Sequence, residues 1–181
     1  TTPQMMAWFM DEYSRLASEY LPSVVTGKPL EVGGSVGRDT ATAQGGAYVL
    51  TEYLSGNKKK PENTTVIIQG YGNAGQHAAE ILHKMGCKIV GVSDSKGGVY
   101  NLKGLDLNAV SAAKKAHGTV GKTQPGQPVK AKLILEKPCD VLVLAAMENQ
   151  VTRANVKRLK TKLILELANG PVNEAAHTYL T

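Results

Sequence analysis

Gly70-Tyr71-Gly72-Asn73-Ala74-Gly75 puts glycines at the first, third and sixth positions of a short turn, directly after the apolar run Val66-Ile67-Ile68 and before an amphipathic segment from Gln76 to Met85. A strand, a glycine turn and a helix in that order are what a pyrophosphate-holding βα turn requires. Gly70 permits the tight turn, Gly72 leaves room for a pyrophosphate beside the backbone, and Gly75 lets the helix lie close to the strand. The phosphates would then meet the positive end of the helix. Asp94 lies 19 residues beyond Gly75, after a second apolar run, and its carboxylate is spaced to bind the adenosine ribose hydroxyls of a dinucleotide. That carboxylate predicts tighter binding of NAD, by holding two hydroxyls and repelling a 2′-phosphate. Ser95 and Lys96 leave NADP possible, because together they offer a hydroxyl and a cation to that phosphate.

Positioning this turn requires strand Thr65–Gln69, a helix over 74–85 stopped by Gly86, and strand Lys88–Ser93, one right-handed βαβ unit. Upstream, Thr2-Pro3 is a helix start, and Met6, Phe9, Met10, Tyr13, Leu16 and Ala17 recur at helical spacing to about Tyr20, with Trp8 and Phe9 read as core. Residues 21–37 are rich in Pro and Gly and form a crossing segment. A second helix is expected over 39–54, where Gly45-Gly46 implies close packing against another backbone. Downstream come a ribbon at 97–101, a helix from Asp106 to His117 ended by Gly118, and an ambiguous stretch at 122–137. Val141–Leu144 and 163–167 are continuous apolar runs, as buried parallel strands are, separated by a helix that Thr152 caps. A last helix starts near Asn173 and leads into no further strand, so the chain reads as truncated at its C-terminus. The fold class is α/β, a Rossmann-like doubly wound, mostly parallel sheet with flanking helices. Residues 1–37 form an N-terminal helix and hinge or substrate-side segment, and 38–181 the dinucleotide-binding domain.

At 181 residues, 42% of them hydrophobic and 5% aromatic, the chain supports an ordinary aliphatic core. No run approaches the roughly 20 apolar residues of a membrane span, and Thr1-Thr2-Pro3-Gln4 lacks signal-peptide character, so a cytoplasmic protein without a membrane partner is expected. Cys87 and Cys139 lack metal-ligand spacing and are read as buried, reduced thiols; the four histidines form no HxxxH pattern, and no metal site is expected. The net charge of +6 is dispersed, with no aromatics interleaved for base stacking, which describes a solvated surface rather than a nucleic-acid site.

Three further segments carry a resemblance: Pro3-Gln4-Met5-Met6-Ala7-Trp8-Phe9-Met10-Asp11-Glu12-Tyr13-Ser14, Thr26-Gly27-Lys28-Pro29-Leu30, and Gly33-Gly34-Ser35-Val36-Gly37-Arg38-Asp39-Thr40-Ala41-Thr42. With Gly70–Gly75, Val92-Ser93-Asp94-Ser95 followed by Gly97-Gly98-Val99-Tyr100-Asn101, and Ala168-Asn169-Gly170-Pro171, the sequence resembles the glutamate dehydrogenase family, in order, along nearly its whole length. The leucine, valine and phenylalanine dehydrogenases share this fold and cofactor loop. The resemblance implies NAD(P)-dependent interconversion of L-glutamate with 2-oxoglutarate and ammonia, and a homohexamer for the full-length protein. It implies that Thr42 hydrogen-bonds the nicotinamide carboxamide, that Asn73 and Ala74 offer backbone N–H groups to the pyrophosphate, that Asn169 lines the nicotinamide ribose, that Ala145 and Ala146 pack against the cofactor with Asn149 in the adjoining loop, and that Thr26 belongs to the substrate pocket. Arg38 is left between a substrate-side role and an ion pair with Asp11 or Glu12. The family pattern is departed from at Leu144, often proline, and Val172, often threonine. By the same resemblance, the acid–base lysine and aspartate come from a substrate domain preceding a segment like Thr1-Thr2-Pro3, so no catalytic residue is assigned to this chain.

Overall fold

The computed structural model describes residues 2–180, and they form two compact units that divide between Thr42 and Ala43.

In the first unit, helix α1 (Pro3–Ala17) starts where Thr2 accepts a hydrogen bond from Met5 N–H on its hydroxyl at 3.2 Å, with Pro3 at the first helical position. It ends three residues short of the expected Tyr20, because Ser18 turns left-handed at φ +51° and its N–H closes on Arg15. Met10 is buried, but Trp8 is 64% and Phe9 55% exposed, contrary to their expected core placement. The remainder of this unit supplies only short 3₁₀ turns, Pro22–Val24 and Leu30–Val32, which are too small to cover both sides of a helix. Glu12 is bound by Arg15 at 2.7 Å, and among the described residues Arg38 makes no ion pair with it or with Asp11.

The second unit is built on a six-stranded sheet. Its strands are β1 (Thr65–Gln69), β2 (Lys88–Ser93), β3 (Gly98–Tyr100), β4 (Gln127–Val129), β5 (Val141–Leu144) and β6 (Leu163–Glu166), in the spatial order β4-β3-β2-β1-β5-β6. β2, β1, β5 and β6 run parallel, with Ile68 opposite Val92 on one side and Val143 on the other, while β3 pairs antiparallel to β2 and β4 antiparallel to β3. The central strands are apolar without a break because both faces are covered. Val66, Ile68 and Val143 pack against α2 (Ala41–Gly56), α3 (Asn73–Lys84) and α4 (Leu107–His117), which contribute Leu50, Leu82 and Val110. Ile67, Leu142 and Leu144 pack on the opposite face against Ile134, Leu135, Val156 and Ala176, the last from α5 (Glu174–Leu180).

One open reading is resolved and two expectations need correction. The ambiguous stretch contains β4 and a 3₁₀ segment, Ala131–Glu136, whose Ile134 and Leu135 plug the second face. No α-helix joins β5 to β6; the helical piece there is one 3₁₀ turn, Val156–Arg158, and the Thr152 hydroxyl accepts from Ala154 N–H at 3.3 Å. The reason is chain length: residues 145–151 run out to a parallel bridge between Val151 and Val172, leaving 152–162 to return, too few for a helix and two turns. Gly45 and Gly46 do not meet another backbone. A Cβ on Gly45 would find open space, and one on Gly46 would strike the Leu167 side chain.

The amino-terminal ends of the parallel strands are clamped by Asp140. Its Oδ2 accepts from Thr65 N–H at 3.0 Å and Thr65 Oγ1 at 2.6 Å, and its Oδ1 accepts from Lys162 Nζ at 2.8 Å. Burial pushes the carboxyl up, but the hydrogen bonds from Lys162 and Thr65 outweigh it and hold the pKa at about 2. Asp140→Asn is expected to cost about 2 kcal/mol, read by calorimetry as a melting temperature lower by roughly 4–8 °C. Burial likewise pushes both thiols, Cys87 and Cys139, up to about 11; Cys87 is buried, Cys139 half-buried, and both are unpaired.

Candidate functional site

The glycine turn sits where the strand order reverses, between β1 and β5, at the carboxyl ends of both strands, which is where open α/β sheets hold ligands. Gly70 takes φ +97°, and a Cβ there would come within 2.7 Å of the Ala145 carbonyl group and 2.8 Å of Ala146 N. The turn therefore needs glycine both for its left-handed backbone and for its approach to the end of β5. A Cβ on Gly75 would overlap the Gly70 carbonyl oxygen, so this residue seats α3 against β1. Gly72 differs: nothing lies within 4 Å of where its Cβ would be. It holds the N-cap position of α3 and has no side chain to cap the helix, whose first intrahelical acceptor is the Gly72 carbonyl, bonded by Gln76 N–H at 2.9 Å. The N–H groups of the first turn, that of half-buried Ala74 among them, lie at the positive end of the helix, next to the space at Gly72.

The neighbouring loops converge here. Asn149, at φ +54°, donates its N–H to the Gly170 carbonyl at 3.0 Å, and Gln150 N–H reaches the Pro171 carbonyl at 2.7 Å. Asn149 and Asn169 therefore lie in two loops tied together beyond β5 and β6, and Asn169 is exposed. Gln69, the last residue of β1, donates from Nε2 to Gln150 Oε1 at 2.8 Å, while its own Oε1 is buried without a partner. An orphaned acceptor beside an uncapped helix start suits a dinucleotide, which brings hydroxyl and amide donors as well as phosphates. This glutamine pair has no sequence signature, since its members are 81 residues apart.

Asp94 follows β2 on the same side of the sheet, but its carboxylate is already committed. Oδ1 accepts from Lys96 N–H, Gly97 N–H and Thr119 Oγ1 at 2.9, 3.1 and 3.0 Å, and Oδ2 from Lys114 Nζ at 2.7 Å and Val120 N–H at 2.9 Å. Five donors meet the roughly four lone-pair sites of a carboxylate, leaving none for a ribose diol. Burial pushes the Asp94 carboxyl up, and the bonds from Lys114, Val120, Lys96 and Thr119 outweigh it and hold it at about 2. Through Lys96 and Gly97 the carboxylate shapes the turn that presents Ser95 and Lys96, both exposed. Lys114 sits 20 residues away on α4, and sequence spacing gave no sign of it.

Thr42 and Thr26 belong to the first unit. Thr42 is exposed in the opening turn of α2, and Thr26 lines a cavity of about 350 Å³ together with Lys28 and Arg38. Among the described residues no group of three or more His, Cys, Asp or Glu is placed to hold a metal ion, and no helix is long and apolar enough to cross a membrane.

Residues 33–181 match the family described as Glutamate/Leucine/Phenylalanine/Valine dehydrogenase. The chain belongs to this dehydrogenase family. It is 42% identical to the NADP-specific glutamate dehydrogenase of Synechocystis over 99% of its own length, and 44% identical to a catabolic NAD-specific glutamate dehydrogenase of Bacillus subtilis over 94%. It spans 44% and 40% of those two proteins. Among solved dehydrogenases, the leucine-bound hetero-hexameric glutamate dehydrogenase of Thermus thermophilus superposes with a TM-score of 0.90 at 33% identity, over 99% of this chain and 42% of that one. The Plasmodium falciparum enzyme, with a TM-score of 0.83 at 23% identity, shares the fold.

Proposed function

We propose that this chain is the dinucleotide-holding part of a glutamate dehydrogenase, which interconverts L-glutamate with 2-oxoglutarate and ammonia in a homohexameric full-length protein. One observation carries the reading: at the reversal point of the sheet, the Gly70–Gly75 turn opens onto free space at Gly72 under an uncapped helix start. The bound nicotinamide cofactor would supply hydride transfer. The chain's own contribution is to hold and aim it. Amides of Asn73 and Ala74 bind the pyrophosphate, and Ala145, Ala146 and Asn149 form the wall beside it. Asn169 lines the nicotinamide ribose, and Thr42 anchors the carboxamide.

Either cofactor is accommodated. With the Asp94 charge offset by Lys114 and its oxygens occupied, the repulsion of a 2′-phosphate is weak, while Ser95 and Lys96 remain exposed to receive it. Relatives of nearly equal identity are named NADP-specific in one case and NAD-specific in the other, so they support a nicotinamide cofactor without choosing between the two. NAD and NADP are expected to bind within about tenfold of one another, a difference of roughly 1.4 kcal/mol or less. The Thr26 cavity, flanked by Lys28 and Arg38, suits the carboxylates of glutamate.

The acid–base groups are assigned to the substrate domain of the complete protein, not to this chain. The test compares the complete protein with the 181-residue chain, using glutamate and leucine with both cofactors. The complete protein is expected to prefer glutamate, and the chain to bind dinucleotide without turnover. Preference for leucine, or turnover by the chain alone, contradicts the reading.

A further inference from the structure

At the amino-terminal edge of the sheet, opposite the edge that carries the glycine turn, a second cavity of about 350 Å³ opens between the end of α2 and the starts of β1, β5 and β6. Leu54 and Val141 form an apolar floor, and four lysines, Lys58, Lys59, Lys60 and Lys162, stand around it with a single carboxylate, Asp140. That carboxylate is consumed by Thr65 and Lys162, so the remaining lysines face no compensating acid within the cavity. Among the described residues neither Lys58 nor Lys60 has an ion-pair partner, and Lys59 lies 5.5 Å from the centre of the Tyr53 ring.

The loop that carries these cations is held rigidly. Asn57, Lys58 and Lys59 donate their N–H groups to the carbonyls of Tyr53, Ser55 and Leu54 at 2.9–3.1 Å, so the backbone itself caps the end of α2 and the ammonium groups are not needed for it. Lys58 takes φ +53° at the helix end, a left-handed position usually given to glycine. Lysine there costs conformational energy and places an exposed cation at the cavity mouth. Two ammonium groups without an ion-pair partner, joined by that of Lys59 beside the Tyr53 ring, around an apolar floor favour a compact anion of high charge.

We propose that this cavity is a second anion site, distinct from the cofactor turn, which binds a small phosphate-bearing anion with two or more charges. Pyrophosphate is the probe. Titration calorimetry is run with NADH present in excess to fill the glycine turn, on the parent chain and on the double variant Lys58→Gly, Lys60→Gln. Glycine suits the left-handed position, so the variant is expected to melt at or above the parent temperature and any loss of binding reports lost charge. The parent is expected to take up pyrophosphate, and the variant to bind it at least roughly tenfold more weakly with an unchanged NADH affinity. The same comparison without NADH isolates the component that depends on the lysines, so failure of dinucleotide binding does not mask the result. No uptake by the parent, or equal uptake by both proteins, overturns the proposal.

Discussion

Gly72→Ala is expected to leave the fold intact and weaken dinucleotide binding, whereas Gly75→Ala is expected to damage both. The contrast follows from the space around each glycine. At Gly72 the backbone has φ −91° and ψ −159°, which any residue adopts, and an added methyl meets nothing within 4 Å. Alanine is a poorer N-cap residue than glycine by up to about 1 kcal/mol, so the melting temperature is expected to fall by no more than about 4 °C. The methyl occupies the space a pyrophosphate needs to approach the first amides of α3, so affinity for NADH is expected to fall roughly tenfold or more. At Gly75 the methyl overlaps the Gly70 carbonyl oxygen, and the backbone of α3 or of the turn must shift. Forced overpacking of that kind costs roughly 1–3 kcal/mol, or about 2–12 °C in melting temperature for a chain of this size. Thermal melts and NADH titrations on the two variants separate steric support from ligand contact. A Gly72→Ala protein that binds NADH like the parent would mean that the open space beside the turn is not where the phosphates lie.

Asp94→Ala is expected to destabilise the second unit more than any other single charge removal. It strands five donors: three backbone amides, the Thr119 hydroxyl and the Lys114 ammonium. The Asp94 side chain is 5% exposed, and removing one partner of a buried pair costs several kcal/mol; because Lys114 is 37% exposed and regains water, about 3 kcal/mol is expected, or roughly 6–12 °C in melting temperature. Replacing Lys114 by methionine in the same protein should recover part of that loss, a rescue that direct ribose binding by Asp94 would not produce. The pH dependence has a definite sign. A carboxyl held at about 2 against an ordinary 3.8 contributes stability that is fully present above about pH 4 and disappears as the pH falls toward 2. Asp140 has the same shift and adds to the same window. Acid titration followed by circular dichroism should therefore show the parent losing stability between about pH 4 and 2, and Asp94→Ala losing less across that range, by about 2 kcal/mol.

Much of this fold was legible in the sequence where one local rule decided the outcome. β1, β2 and β5 fall on the residues their apolar runs indicated, and α4 has Asp106 and Gly118 as its caps, because a capping side chain or an apolar strand needs no distant information. Prediction failed where the outcome depended on contacts between remote segments. The helix expected between β5 and β6 loses its residues to the Val151–Val172 bridge, and Trp8 and Phe9 follow the helical period of a core face without meeting an element large enough to bury them. The turn at Gly70–Gly75 was visible as a motif, but its placement against Ala145 needed the strand order. Asp94 was found by spacing, but spacing locates only the carboxylate; its bonds to Lys114, Thr119 and Val120 come from segments 20 to 26 residues away and needed the fold.

The most direct test of the central claim is a map of backbone amide shifts in the isotopically labelled chain during titration with NADH. The largest changes are expected at Asn73, Ala74 and Gly75 and in the loops carrying Ala146, Asn149 and Asn169, with saturation of all of them along one curve. Absence of binding, or shifts that avoid the start of α3, would contradict the assignment of this turn as the seat of the dinucleotide.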